Sequence, residues 1–86
     1  MIDIIIRKDI KINFNLDKYT KRCIEELEEV YEKVQKIKDK NSKEYEELND
    51  KFYSLTLELE ISVLAGWRSG YFSEKEGDLL LYKYNV

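Results

Sequence analysis

Few residues in this chain could do chemistry, and the largest group is acidic. Glu25, Glu28, Glu29 and Glu32 recur at three- and four-residue steps, which places their carboxylates on one face of a helix. Such a face could hold a cation or offer negative charge to a basic partner, in the manner of a nucleic acid. A metal is disfavoured: bundle metal sites draw inward carboxylates from several helices, usually with histidine, and the chain has no histidine. The same absence removes imidazole acid–base chemistry and the Ser-His-Asp and Cys-His arrangements. Solvated i,i+4 pairing, Glu29 with Lys33 and Glu32 with Lys36, is the plainer reading of these carboxylates.

Cys23 is the single cysteine, so no disulfide can form within the chain. Lys21 and Arg22 beside it could lower a thiol pKa, but a small buried apolar role is the commoner fate. Trp67, Arg68, Tyr71 and Phe72 form the densest group of residue types favoured in binding hot spots. They point to a protein-docking or dimer anchor, or else Trp67 and Phe72 close the core and leave Arg68 and Tyr71 outside. Arg7, Lys8, Lys11, Lys18, Lys21 and Arg22 form a loose basic group that could meet a nucleic acid. Net charge is −3 and no recognition motif is present, so nucleic acid is the lesser reading.

Four stretches must position these residues. Ile10, Ile12, Phe14 and Leu16 alternate with polar residues, the period of a strand with one wet face. With Ile2–Ile6 and a turn at Arg7-Lys8-Asp9 they predict an N-terminal β-hairpin. Asp17 is a suitable N-cap for a first helix reaching about Lys40, with Ile24, Leu27, Tyr31 and Val34 as its apolar stripe. Asn41 and Glu44 resemble a capping box for a second helix from about Ser42 to Ser69, ended by Gly70. Within it Leu55–Val63 alternates as a strand would, yet its Leu and Glu content favours helix. Glu76-Gly77-Asp78 reads as a turn, and Leu79–Val86 as a strand with Leu80, Tyr82, Tyr84 and Val86 on one face.

The expected architecture is therefore α+β, in the order β-β-α-α-β. A β-hairpin, a long antiparallel helical hairpin and a C-terminal strand complete a small antiparallel sheet, all in a single domain over residues 1–86. Because 86 residues support only a modest core, the margin of stability should be thin without a partner. Charge is blocked: residues 1–24 carry net +3, 25–32 net −5, 33–43 net +4, 44–60 net −5, and 61–86 are neutral. Around the hairpin turn the basic and acidic blocks offset each other, leaving an acidic patch on the first helix.

Nothing here assembles a nucleophile, a base and oxyanion donors, and no glycine-rich phosphate loop is present. The sequence thus favours a small non-enzymatic protein-binding module with no cofactor, in which hairpins pair as a homodimer. The runner-up is a nucleic-acid-binding protein using the basic N-terminal hairpin. No apolar run approaches a membrane span, and no basic segment precedes the short apolar start, so a cytoplasmic protein is expected. Ala, Gly, Pro and Arg together number seven while Lys, Ile, Asn and Tyr abound, a usage typical of AT-rich genes. Size, acidity and coding bias suit a phage or viral accessory protein that inhibits a host macromolecule by covering its surface, acting in the host cytoplasm.

Overall fold

The computed structural model describes residues 6–84, and these contain three helices and no strand. They are α1 (Lys18–Lys36), α2 (Lys43–Arg68) and α3 (Glu74–Lys83). The fold is all-α, so the expected α+β architecture with its small sheet is overturned. The molecule measures 42 × 22 × 19 Å. Its long axis follows the α1–α2 hairpin, whose tip around 37–44 is mostly exposed.

α1 starts where Asp17 predicts. The Asp17 carboxylate accepts the Thr20 amide at 3.2 Å and the Thr20 hydroxyl besides. Thr20, Cys23, Ile24, Leu27, Val30 and Val34 form its buried stripe. The helix stops at Lys36, one turn short of the expected Lys40, because Ile37 turns extended while its N–H bonds to the Val34 carbonyl. Asp39 then accepts the Asn41 amide, and Ser42 rather than Asn41 caps α2 by accepting the Tyr45 amide at 3.2 Å.

α2 runs unbroken through Leu55–Val63, so the alternating stretch is helical. Phe52, Leu55, Thr56, Leu59 and Val63 are buried, with Leu55 against Cys23 of α1 and Val63 against the position of Gly77 in α3, and Glu60 points outward. α2 ends in a Schellman motif. Tyr71 N–H bonds to the Gly66 carbonyl and Gly70 N–H to the Trp67 carbonyl, with Gly70 at φ 82°.

The expected C-terminal strand is α3. Ser73 accepts the Glu76 amide at 3.1 Å while Glu76 accepts the Ser73 amide at 2.9 Å, a complete capping box. Glu76-Gly77-Asp78 is therefore its first turns and not a loop. Leu80 and Tyr84, four residues apart, are buried together, whereas Tyr82 faces solvent. The shared face of Leu80, Tyr82 and Tyr84 thus separates, and Val86 lies outside the described residues. Gly77 sits inside α3 because a Cβ there would come within 2.9 Å of Val63 Cγ1.

The expected N-terminal hairpin is a single extended strap. Ile2–Ile5 lie outside the described residues. Arg7-Lys8-Asp9 does turn, with Ile10 N–H bonding back to the Arg7 carbonyl at 3.2 Å. From Ile10 to Leu16 the side chains alternate between half-buried and exposed, so the period of two is real. What is missing is a ladder: among the described residues, Lys11–Leu16 form no backbone hydrogen bond with another strand. Ile12, Phe14 and Leu16 pack on the helices instead. Arg7 N–H bonds to the Lys83 carbonyl at 2.8 Å, and the Phe14 ring meets Phe72 at 5.8 Å. The strap therefore runs antiparallel to α3.

Phe72 fits because position 66 has no side chain. A Cβ there would stand 2.7 Å from the Phe72 ring and 2.9 Å from Asp17 Oδ1. Gly66→Ala gains about 1 kcal/mol in helix propensity, but the ring and the N-cap of α1 must both move. We expect a net loss of about 1–3 kcal/mol, typical of overpacking, read as a lower midpoint in urea. Gly70→Ala meets no atom, but places alanine at positive φ, and should cost about 1 kcal/mol.

Candidate protein-binding surface

The expected binding residues divide between two faces. Glu25, Glu28, Glu29 and Glu32 are all exposed on α1, opposite its buried stripe. Glu29 pairs with Lys33 at 3.3 Å, and both are well exposed, so the pair adds little stability. Glu28 instead accepts the Tyr84 hydroxyl at 2.9 Å, which joins α1 to the end of α3. Among the described residues no three His, Cys, Asp or Glu side chains gather where a metal ion could sit.

The aromatic group at the exit of α2 separates. Phe72 is buried, whereas Arg68 and Tyr71 are exposed and Trp67 keeps 39% of its surface. Trp67 lines a groove between α2 and α3 of about 220 Å³, with Leu64, Leu81, Glu60 and Asp78.

The basic residues form two groups. Arg7 stacks over Tyr82, 4.1 Å from the ring centre, and donates to the Tyr82 carbonyl at 2.7 Å. Lys8 lies 5.4 Å over the Tyr31 ring. Lys18, Lys21 and Arg22 are exposed on the first turns of α1, and Lys11 is exposed on the strap. Tyr31 is about 20 Å from Lys18 along the helix axis, at 1.5 Å per residue. The six cations do not line one groove.

Cys23 is buried, and its thiol donates to the Leu55 carbonyl at 3.3 Å. Burial, with Glu58 and Glu26 nearby, pushes its pKa up to about 11. The geometry thus gives a packed thiol, not an activated one.

The surface that the sequence reading missed is a second face of α2. Tyr53, Leu57, Ile61 and Leu64 expose 56%, 49%, 71% and 44% of their surfaces. With Trp67 they fall within about 120° of arc, on the side away from the buried stripe. Grooves border this ridge on both sides, one against α3 and one against α1 at Tyr19, Arg22 and Glu26. The signal was present in the sequence: the Leu55–Val63 stretch, read as helix, is apolar nearly all round, and a small domain can cover only one side of it. In comparisons with protein families, curated proteins and solved structures, nothing matches the chain.

Tyr84 gives this arrangement a pH dependence. Its burial, with the Glu28 carboxylate accepting its proton and repelling a phenolate, holds its pKa well above the ordinary tyrosine range. An unfolded tyrosine ionises near about pH 10. Stability is therefore full below that pH and falls above it, where the unfolded chain releases a proton that the folded one keeps. Tyr84→Phe should cost about 1 kcal/mol at neutral pH and flatten the alkaline fall in melting temperature. An equally steep fall in the variant would refute this role. The Cys23 thiol should react with a disulfide reagent far more slowly in the folded protein than in urea.

Proposed function

We propose that this chain is a non-enzymatic protein-binding module that works through the exposed apolar face of α2. The observation that carries this reading is the ridge of Tyr53, Leu57, Ile61, Leu64 and Trp67, exposed along one side of a helix whose other side forms the core. Large apolar side chains contiguous on a surface mark interaction sites in soluble domains. The groups with chemical potential support it from the other direction: Cys23 is packed away, Glu25, Glu29 and Glu32 are exposed, and Glu28 is engaged by the Tyr84 hydroxyl. The acidic face of α1 adds a second surface suited to basic partners.

Among the described residues, no helix is long and apolar enough to cross a membrane. The reading places the module in the cytoplasm, where one buried free thiol stays reduced. Covering a host protein's surface, as an accessory protein of a phage or virus does, is a role that needs no more than this.

The test uses a variant that changes the ridge and spares the core. Leu57→Lys with Leu64→Lys should leave the circular dichroism spectrum unchanged. It should abolish the protein's specific associations, with itself by sedimentation or with a cellular protein by capture. If the double variant changes neither, the reading falls. A steep salt dependence of binding to DNA or RNA would instead favour the basic residues of α1 and the strap.

A further inference from the structure

The occupant of the ridge can be inferred from its spacing and its charges, and this step rests on the reading of α2 just given. Leu57, Ile61, Leu64 and Arg68 advance by four, three and four residues, the seam spacing of helices that pack side by side at a shallow angle. The rim of the seam carries both signs: Glu58 and Glu60 flank its centre, and Arg68 closes its end. A partner of one sign would oppose part of that rim. A parallel second copy would set glutamate on glutamate and arginine on arginine.

An antiparallel copy matches. With a two-fold axis passing beside Ser62 and Val63, Ile61 faces Leu64 of the second copy, and Leu57 lies under the stem of its Arg68. Each Arg68 then reaches Glu58 of the other chain, and Glu60 sits beside the other Trp67. A two-fold interface must be complementary to itself, and this one buries the same residues on both sides. The rim pairs add little affinity, but they fix direction and register. The most exposed residue of the ridge, Ile61, sits next to the axis and gains most from burial.

We propose that this chain forms a two-fold homodimer in which α2 packs antiparallel on α2 of a second copy, with Leu57, Ile61 and Leu64 as the seam. The purified full chain should sediment as a dimer across micromolar to sub-millimolar concentrations. Ile61→Lys should raise the dissociation constant at least about tenfold, a loss of about 1.4 kcal/mol, with the helical spectrum retained. Arg68→Glu and Glu58→Arg should each weaken the dimer, and the two together should recover most of the loss. If Ile61→Lys does not fold, the reversal pair carries the test, because both residues are exposed. A monomer throughout the range overturns the proposal, as does a dimer indifferent to Ile61→Lys or a double reversal no tighter than the single ones. A monomer whose capture of a cellular protein still depends on Leu57 and Leu64 overturns the dimer and leaves the binding module standing.

Discussion

The fold depends on one close approach, that of the Phe72 ring to the backbone of α2 at Gly66. The ring occupies the volume that a side chain at 66 would fill, and its far side meets Gly77 of α3 and Phe14 of the strap. The carboxylate that caps α1 lies against the same glycine. Three segments therefore meet at one aromatic side chain, and the cap of the fourth shares its glycine. Gly66 makes room for the ring and Gly77 for Val63, each at a cost in helix propensity of about 1 kcal/mol. Dense packing recovers that cost only if every neighbour stays in place.

From that junction the division of α2 follows. One face is committed to α1 and to Phe72, α3 covers part of a second, and the rest stays open among the described residues. The open part is apolar, so the same helix that organises the core also presents the surface through which the proposed module works. The acidic face of α1 is separate from it and is partly anchored, since Glu28 holds Tyr84.

The two long helices were legible because their signals were local: Asp17 and Gly70 mark ends, and apolar residues recur at three- and four-residue steps between them. The strap was half legible. Its alternation is visible in Ile10–Leu16, but alternation reports one wet and one dry side, which a chain lying across helices shares with a strand in a sheet. α3 was misread for a different reason. Leu79–Tyr84 is a short apolar run, which by itself suits a strand or a buried helix, and Gly77 looks like a turn; what decides for helix is the Ser73–Glu76 box and the fit of Gly77 against Val63. The box lay within reach of a sequence reading, whereas the fit is a tertiary fact. The expected anchor group at Trp67–Phe72 could not be divided from sequence either, because the Schellman turn between Trp67 and Phe72 sends neighbouring side chains to opposite sides.

The strap and α3 also set an order of assembly. The α1–α2 hairpin closes across a short turn, while Arg7 meets Tyr82 and Lys83 across some 75 residues of chain. Loop closure costs more as the loop lengthens, and contacts distant in sequence form late. The hairpin therefore zips first as a rod with bare apolar flanks, and the strap fastens last, like a buckle drawn across it. During that interval the core surface that Ile12, Phe14 and Leu16 will cover lies bare, so the moment of greatest exposure to wrong partners falls just before the buckle closes.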